Sequence, residues 1–362
     1  MITVKTPKTY INETGSIARS GEFISKIGKN PLIIAGEKAK KAVGEAFFSS
    51  LAENGIGSAN VFTFSGYPSQ RQFDSYAEKA RAVNADVIIG IGGGRVLDTA
   101  KATGDILSLP VVTIPTVAAT CVAWAAVTIQ YDDKGGYVKS RLNKNSAELV
   151  IADPQVIFTA PRRYLFSGVV DTFAKFYEIR PTTVFFPEDV PSQIALKASE
   201  IAFANLERDT FTALSEAEKG VFSDAAKNVI DAIIYLAGFA GSFKGEHGHY
   251  SFAHPFYHTS TRLHHSNIKL HGEKVAFGIV TQLILEKKDD SQVLEAIKIF
   301  SKYENAWTLE DFALTSESDL DFLKVQIPEI FSYVPYKDGQ SIKAALKKAD
   351  ELKIGRASCR ER

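Results

Sequence analysis

The histidines of this sequence are gathered in one short segment. All seven fall between residues 247 and 271: His247, His249, His254, His258, His264, His265 and His271. An even scatter would place only about half a histidine in such a window. Because neutral imidazole is a common ligand of zinc and iron, the cluster predicts a metal site that uses two or three histidines. The alternative is a solvated polar loop, and we expect the remaining histidines to have no ligand role.

A divalent metal site with two histidines also needs an acidic ligand, which the spacing of the acidic residues does not identify. His254 and His258 are spaced to share one helix face. Pro255, however, predicts a helix that begins at that point, because proline is favoured at the first helical position. His254 would then lie at the start of this helix.

A second candidate site is the glycine run at 90 and 92–94, which follows an apolar run and precedes a helical pattern. Glycines let backbone N–H groups approach a ligand, and a helix N-terminus favours negative charge. The run therefore predicts a pyrophosphate site, and the alternative is a tight strand-to-helix turn. Asp98 and Lys101, three residues apart, could be an ordinary surface pair.

A third candidate is the segment 115–124, in which small and hydroxyl side chains follow a predicted strand. Such residues suit the crevice at the carboxyl ends of parallel strands. Cys121 could contact substrate there, although a free cysteine is more often a small buried residue, and we favour packing. Trp124 is expected in the core or in a pocket wall.

The elements that position these residues follow two different patterns. Apolar runs alternate with helical patterns up to about residue 160, which predicts strands of a parallel sheet covered by helices. Beyond residue 161, helical patterns follow one another. We therefore predict an α/β dinucleotide-binding domain at 1–160, an all-helical metal-binding domain at 161–353, and a cleft between them. The predicted strands are 31–35, 60–64, 87–89 and 111–114; the predicted helices are 38–54, 69–84, 95–107, 163–179, 190–208, 225–243 and 273–286.

Composition excludes several classes of protein. Hydrophobic residues make up 45% and charged residues 23%, which is typical of a chain with a packed core. Lys plus Arg and Asp plus Glu each number 42, and no dense basic run is present, so we expect no nucleic-acid partner. No apolar stretch approaches the roughly 18 residues of a membrane span. Two distant cysteines are no disulfide framework, which favours a cytoplasmic protein.

The last residues, 354–362, are polar and unpatterned. One choice of codons for them reproduces a widely used short-read sequencing adapter. We therefore expect this tail to be non-native and exclude it from the fold. The alternative is a natural frayed tail.

Four ordered motifs carry a resemblance to a known family. They are Gly-Gly-Gly-x-x-x-Asp-Thr-Ala-Lys (92–101), Pro-Thr-x-Ala-x-Thr (115–120), Gly-x-x-Asp-x-x-Ala-x-x-x-Glu (168–178) and His-Gly-Glu-Lys-Val-Ala-x-Gly (271–278). Together they resemble the glycerol-dehydrogenase-like group of the iron-containing alcohol dehydrogenases. The resemblance implies the dehydroquinate-synthase-like architecture and hydride transfer between NAD or NADP and a small alcohol or carbonyl. It also implies one divalent metal, Zn²⁺ or Fe²⁺.

The resemblance also assigns roles to individual residues. It implies metal ligation by Asp171, His254 and His271, and His258 is a candidate proton relay. Cys121 would contact substrate. The residues expected to bind the dinucleotide are Glu37, Gly93, Gly94, Arg95, Asp98, Thr116, Ala119, Thr120, Ala125, Val127 and Tyr131. Glu37 would favour NAD by accepting from the ribose, whereas Lys38, Lys40 and Lys41 could favour NADP or simply cover a helix.

Departures from the family pattern bear on the substrate. Cys121 stands where glycerol dehydrogenases place an aspartate that contacts nicotinamide and glycerol. Segments 120–124 and 168–178 look more like the hydroxycarboxylate dehydrogenases of the same group, and the bulky segment 254–259 predicts a narrower pocket. Loss of that carboxylate favours a 2-hydroxy or 2-oxo acid, or a simple alcohol. The alternatives are a glycerol dehydrogenase, a dehydroquinate-synthase-like lyase and a catalytically silent metal- or nucleotide-binding protein; we expect a homo-oligomer.

Overall fold

The first part of the chain forms a parallel sheet with flanking helices, and the second part is helical, which confirms the predicted fold class. This computed structural model describes residues 4–57, 60–243, 248–249, 251–305, 307–331 and 335–352. His247 and the predicted tail lie outside the described residues. The domain limits at 160 and 353 stay predictions.

The sheet has six parallel strands. In chain order the strands are β1 (Thr9–Asn12), β2 (Pro31–Ala35), β3 (Val61–Thr63), β4 (Val87–Gly92), β5 (Val111–Pro115), β6 (Val127–Tyr131), β7 (Tyr137–Leu142) and β8 (Leu149–Ala152). The sheet order is β1-β8-β5-β4-β2-β3, and β6 pairs with β7 in a separate antiparallel hairpin. Every residue of β2, β4 and β5 is buried, because helices cover both faces, and this explains their continuous apolar runs.

Helices of the first half pack on the two faces of this sheet. They are α1 (Ser20–Ile24), α2 (Glu37–Glu53), α3 (Gln70–Ala82), α4 (Gly94–Leu107) and α5 (Pro154–Ile157). Successive strand residues point to opposite faces. Accordingly, Ile33 belongs to the same buried cluster as Phe47 of α2, whereas Ile34 belongs to the cluster that contains Tyr76 of α3.

The second half contains nine labelled helices among the described residues. They are α6 (Arg162–Phe185), α7 (Val190–Ala217), α8 (Asp224–Ile230), α9 (Ala237–Ser242), α10 (Ala253–Thr261), α11 (His271–Leu285), α12 (Asp290–Lys302), α13 (Glu317–Ile330) and α14 (Gly339–Glu351). A π-helical segment, Asp231–Leu236, joins α8 to α9, and short 3-10 helices lie at Ser16–Arg19, His264–Ser266 and Glu310–Phe312. Across the described residues, no helix has the length and apolar character needed to cross a membrane.

Several elements differ from the sequence-based predictions. Strands β1 and β8 and the hairpin β6–β7 were not predicted. The helical pattern at 225–243 is divided into α8, the π-helical segment and α9, which ends at Ser242. Helix α10 begins at Ala253 rather than at Pro255, so His254 lies within its first turn.

Close backbone contact joins the two halves beside segment 115–124. A Cβ atom on Gly168 of α6 would lie 2.0 Å from the carbonyl oxygen of Ala118, so only glycine allows this approach. Trp124 is buried against Gly238 and Tyr235 of the helical half, as expected for a core residue. These contacts bring α6 to the carboxyl edge of the sheet.

Candidate active site

The glycine run lies where neighbouring strands end together. Gly92, at the end of β4, pairs with Pro115 at the end of β5, and the N–H of Thr116 donates to the carbonyl oxygen of Gly92 at 3.2 Å. Gly93 and Gly94 begin α4, whose N-terminal N–H groups therefore face the carboxyl edge of the sheet. This geometry suits a bound phosphate.

Glu37 lies one strand away from the glycine run. It opens α2 directly after β2, the neighbour of β4 in the sheet. Its exposed carboxylate lies 3.7 Å from the Nζ atom of Lys41. The structure thus places Glu37 at the same edge of the sheet as Gly93 and Gly94.

The surface-pair interpretation of Asp98 and Lys101 is wrong, because both side chains are buried. Lys101 Nζ lies 3.0 Å from Asp98 Oδ1 and donates to the carbonyl oxygens of Val122, Ala125 and Val127 at 2.9, 2.9 and 2.6 Å. Burial raises the pKa of Asp98 above its ordinary value despite the nearby Lys101. This buried cation therefore fixes the backbone between segment 115–124 and β6.

The other predicted dinucleotide-binding residues line the same region. The Arg95 guanidinium stacks over the ring of Tyr67 at 4.0 Å. Thr120 Oγ1 accepts from the N–H of Val122, and Ala119 lies against Gly168. The hydroxyl of Tyr131 lies 3.2 Å from that of Tyr257 on α10. Tyr131 therefore connects the hairpin β6–β7 to the helix that carries His254.

Cys121 is partly exposed, and both interpretations of it, packing and contact with substrate, stay predictions. Burial of the thiol raises its pKa, with the charge of Lys175 lowering it and that of Asp171 raising it. The side chain is therefore a neutral thiol at neutral pH, in the electrostatic field of both α6 residues.

Asp171, His254 and His271 come together from three helices, α6, α10 and α11. Their ligand atoms all lie within 4.8 Å of one another. Asp171 Oδ1 lies 3.2 Å from His254 Nε2 and 2.9 Å from His271 Nε2. One carboxylate oxygen and two imidazole nitrogens at this spacing fit a single divalent ion with bonds of about 2.0–2.2 Å, leaving coordination positions open for a substrate.

Glu178 orients the His254 ring. Its Oε2 atom lies 2.5 Å from His254 Nδ1, and its Oε1 atom accepts from the backbone N–H of His254 at 3.0 Å. A carboxylate that holds the Nδ1 proton leaves Nε2 as the ligand atom. Glu178 belongs to the motif at 168–178, but sequence analysis gave it no role.

The charges of this cluster are strongly coupled. Burial raises the pKa of Asp171, but the charge of His271 and the hydrogen bonds from both histidines lower it well below its ordinary value. Burial lowers the pKa of His254, but the negative charge of Glu178 raises it, and the pKa lies above the ordinary value of a histidine. Because metal ligation requires neutral Nε2 atoms, metal binding and proton release are linked at this site.

Close helix packing holds the three ligand residues in place. The N–H of Gly272 on α11 donates to Ser167 Oγ on α6 at 3.0 Å, and a Cβ atom on Gly272 would lie 2.0 Å from the Ser167 carbonyl oxygen. Arg163 of α6 forms two hydrogen bonds with Glu273 of α11, at 2.6 and 2.8 Å. Gly272 and these polar contacts set the separation between Asp171 and His271.

Lys175 and Tyr257 also face the cluster, and sequence analysis assigned neither of them a role. Lys175 Nζ lies 3.4 Å from His254 Nε2, and the Tyr257 ring meets that of His271 edge-on, with centroids 4.2 Å apart. Burial lowers the pKa of Lys175, but Asp171 and other charges raise it above its ordinary value. The helical period would have indicated Lys175 and Glu178, since both share one face of α6 with Asp171.

The remaining described histidines lie outside the ligand cluster. His258 is 7% exposed, and its ring centroid lies 6.4 Å from that of His254 and 6.5 Å from that of His271. His264 lies beside Asp132, His265 beside Asp319, and His249 beside the carbonyl oxygen of Phe243. Among the described residues, the grouped ligand candidates are therefore two of the histidines and one aspartate.

Known proteins resemble this chain over most of its length. Residues 7–154 match the family model described as iron-containing alcohol dehydrogenase. Glycerol dehydrogenase of Escherichia coli O6:H1 is 30% identical over 287 residues, which cover 78% of this chain and 77% of that protein. This chain belongs to the iron-containing alcohol dehydrogenase family. The resemblance inferred from the four motifs is confirmed.

Two further dehydrogenases match nearly the whole chain. Hydroxycarboxylate dehydrogenase A of Escherichia coli K12 is 28% identical over 362 residues, which cover 96% of this chain and 97% of that protein. The crystal structure of glycerol dehydrogenase from Schizosaccharomyces pombe has the same fold, with a TM-score of 0.85 and 23% identity over 98% of this chain and 91% of that one.

Family membership establishes the class of reaction. This dehydrogenase is a divalent-metal-dependent alcohol oxidoreductase that uses NAD or NADP. The predicted oxidoreductase activity is confirmed, and the family favours it over the lyase alternative.

Proposed function

We propose that this dehydrogenase interconverts 2-oxo acids and 2-hydroxy acids, with its metal held by Asp171, His254 and His271. The observation that carries the ligand assignment is the meeting of both Nε2 atoms at Asp171 Oδ1, 3.2 and 2.9 Å away. Cys121 supports the choice of substrate, because a neutral thiol at the proposed substrate site does not repel an anion. We also propose that residues 1–160 bind the dinucleotide and residues 161–353 bind the metal.

The dinucleotide assignments remain part of this proposal. The α4 N-terminus at Gly93 and Gly94 would receive the pyrophosphate, with Arg95 beside it and Glu37 near the ribose. The nicotinamide half would lie along the segment from Thr116 to Tyr131. The buried pair of Lys101 and Asp98 holds the backbone of this segment through hydrogen bonds from Lys101 to its carbonyl oxygens. The proposed residues of this segment are Thr116, Ala119, Thr120, Ala125, Val127 and Tyr131.

A divalent cation held by Asp171, His254 and His271 would stabilise negative charge on the reacting oxygen, and a bound nicotinamide would supply or accept the hydride. Glu178 keeps the Nδ1 proton on His254, and the helix contacts at Gly272 keep Asp171 and His271 together. These residues hold the donor set ready, so little reorganisation accompanies the reaction.

His258 is our proposed proton relay. It is buried beside both ligand histidines, and its Nδ1 atom has no hydrogen-bond partner among the described residues. Burial, together with the nearby His254, His271 and Lys175, lowers its pKa well below the ordinary value. A neutral ring of this kind can accept a proton only transiently. A His258→Ala enzyme with normal turnover and a normal pH profile would dismiss the role.

A substrate panel tests the proposed function. Metal-loaded enzyme, supplied with Zn²⁺ or Fe²⁺, is assayed by NADH and NADPH absorbance with 2-oxobutanoate, 2-oxoglutarate, glycerol and short alcohols. We expect the 2-oxo acids to give the highest kcat/KM, and Asp171→Ala to lose turnover and bound metal together. Full activity of metal-stripped enzyme would refute the ligand assignment, and a preference for glycerol would refute the substrate assignment.

Glycerol oxidation is the second candidate activity. It is favoured by the 30% identity to a protein named glycerol dehydrogenase. The same panel separates it from the 2-oxo acid activity.

We further propose a homo-oligomer that works in the cytoplasm. The support for the oligomer is a row of exposed apolar side chains on α7, consisting of Val190, Ile194, Ile201 and Phe211. A row of this kind is typical of a protein–protein contact. Light scattering after size-exclusion chromatography tests the oligomeric state, and a monomeric mass would contradict it.

A further inference from the structure

Lys175 is a cation within the candidate metal site that the ligand set does not need. It lies on α6 one turn after Asp171, and its Nζ atom is 3.4 Å from His254 Nε2. Within the part of the chain that the structure describes, no carboxylate oxygen lies within 4.0 Å of this ammonium group. Lys101, by contrast, is fully committed to Asp98 and three carbonyl oxygens.

The local charges leave Lys175 without a counter-charge. A divalent ion held by Asp171 would be balanced by the two buried carboxylates, Asp171 and Glu178. That ion would take His254 Nε2, the one atom with which Lys175 has a hydrogen-bond contact among the described residues. The ammonium group then needs an anion from outside the protein, because a partly buried cation without a partner is unfavourable.

The surroundings of Lys175 are open to such an anion. Its side chain is partly exposed, as are Cys121, His254 and His271. The Cys121 thiol is neutral and therefore adds no negative charge near Lys175. An anionic group that reached Lys175 would therefore lie next to the metal ligands and meet no fixed negative charge from segment 115–124.

We propose that Lys175 binds the carboxylate of the substrate and thereby selects 2-oxo and 2-hydroxy acids over neutral ketones and alcohols. This inference rests on the proposed function and adds the residue that determines the substrate class. An ammonium–carboxylate hydrogen bond is charge-assisted and stronger than a neutral one. Lys175 acts as a substrate-binding residue, and it transfers no proton and forms no covalent bond.

The test compares two ketones that differ in one group. The first is 2-oxobutanoate, and the second is 1-hydroxybutan-2-one, in which a hydroxymethyl group replaces the carboxylate. In the metal-loaded Lys175→Met enzyme, we expect the ratio of kcat/KM for the acid to that for the neutral ketone to fall about tenfold or more. Lys175→Arg should retain most of the preference, because it keeps the charge. Arg180→Met, which removes an exposed cation from the same helix, is the matched control and should keep the wild-type ratio.

Two readouts do not depend on turnover. Affinity of the enzyme–NADH complex for oxamate, an unreactive 2-oxo acid mimic, should fall by a similar factor in Lys175→Met, as measured by NADH fluorescence. Elemental analysis should show the wild-type metal content in this variant. The proposal would be overturned if Lys175→Met lost kcat/KM equally for both ketones, kept the wild-type affinity for oxamate, or lost its bound metal.

Failure of the proposed function has a different signature. A wild-type enzyme that does not reduce 2-oxobutanoate would refute the 2-oxo acid activity. Binding of oxamate that depends on Lys175 would still support the anion-binding role. If the enzyme reduces 2-oxobutanoate, and Lys175→Met still prefers it to the neutral ketone as strongly as wild type does, the activity is supported and the role of Lys175 is refuted.

Discussion

Asp171 and Glu178 lie two turns apart on one face of α6, and both carboxylates reach His254. Asp171 approaches Nε2, the side of the ring that a metal would use. Glu178 approaches Nδ1, on the opposite side. Burial raises the pKa of Glu178, but His254 and Lys175 lower it, and the pKa lies below the ordinary value of a glutamate. The Glu178 carboxylate is therefore charged at neutral pH. The ring is therefore held between two anions.

Replacing Glu178 by glutamine tests this orientation of His254. The change keeps the size of the side chain and removes its charge, so the Nδ1 proton is held less strongly. We expect the affinity for Zn²⁺ or Fe²⁺ to fall about 10- to 100-fold, while NADH affinity changes little. Competition with a chelating dye measures metal affinity, and NADH fluorescence measures dinucleotide affinity. Glu188→Gln, at an exposed position, is the control, and wild-type metal affinity in Glu178→Gln would contradict the assigned role.

The residues of the site were predictable to different degrees. Motif resemblance indicated Asp171, His254 and His271, and the structure brings them together. Lys175 and Glu178 were visible in the sequence as residues on the same helix face as Asp171. Their proximity to His254 was not, because that contact joins segments far apart in the chain and depends on how α6 packs against α10.

Helix packing at Gly272 controls the distance between Asp171 and His271. The next prediction therefore concerns α6 and α11. A methyl group in Gly272→Ala would overlap the Ser167 carbonyl oxygen, which is backbone and cannot rotate away. The helices must separate, at a cost of about 1–3 kcal/mol. We expect weaker metal binding and a lower free energy of unfolding in urea.

Gly241→Ala is the matched control for Gly272→Ala. Gly241 lies in α9, and a Cβ atom there would meet nothing within 4 Å. This change should leave metal affinity unaltered. Normal metal binding by Gly272→Ala would show that the close approach of α6 and α11 does not position the ligands.

Lys101 connects α4 to the segment that leads into β6, so its replacement tests a whole structural unit. Lys101→Met would leave Asp98 buried without its partner and would free three carbonyl oxygens. We expect a loss of about 3–5 kcal/mol in the free energy of unfolding. The double variant Asp98→Asn with Lys101→Met should recover part of this loss, since the buried charge is then gone.

The control for Lys101→Met is an exposed ion pair of the same kind. Lys197 lies 2.8 Å from Glu200 on the surface of α7. Lys197→Met should change stability by less than about 1 kcal/mol. A similarly small effect of Lys101→Met in urea denaturation would contradict the buried-pair interpretation.

Three of the four strands found by sequence patterning are buried on both faces, whereas the fourth, β3, is partly exposed, and the fully buried β8 was not predicted. Strands β2, β4 and β5 are continuous apolar runs because helices cover them on both sides. Strand β1 lies at the edge of the sheet and has no fully buried residue. It pairs with β8, some 140 residues later, so its identity depends on a partner that local patterning does not reveal.

At the scale of the whole molecule, the two predicted domains share one hydrophobic core. Val150 of β8, Trp124, Val170 of α6 and Phe277 of α11 belong to the same buried cluster. Lys274 of α11 is only 1% exposed, and its Nζ atom lies 3.2 Å from Ser260 Oγ and 2.8 Å from Ser266 Oγ. Burial lowers the pKa of Lys274 to about 7.

Lys274 makes global stability depend on pH. Its pKa is about 7 in the folded protein and about 10.4 in an unfolded chain. Between these values the unfolded chain binds more protons, so the free energy of unfolding rises with pH across this window. In Lys274→Met this contribution is absent. We therefore expect wild type to gain about 2–4 kcal/mol relative to Lys274→Met between pH of about 7 and about 10.

Urea denaturation of both proteins at several pH values measures this difference. The hydroxyls of Ser260 and Ser266 donate to the carbonyl oxygens of Tyr257 and Ser260, respectively. In Lys274→Met they keep these hydrogen bonds and lose only the one that each accepts from the ammonium group. Lys298→Met, at an exposed position on α12, is the control and should follow the wild-type pH dependence. Parallel curves for wild type and Lys274→Met would mean that the buried amine keeps its proton throughout, and that the two serine hydroxyls compensate for its burial.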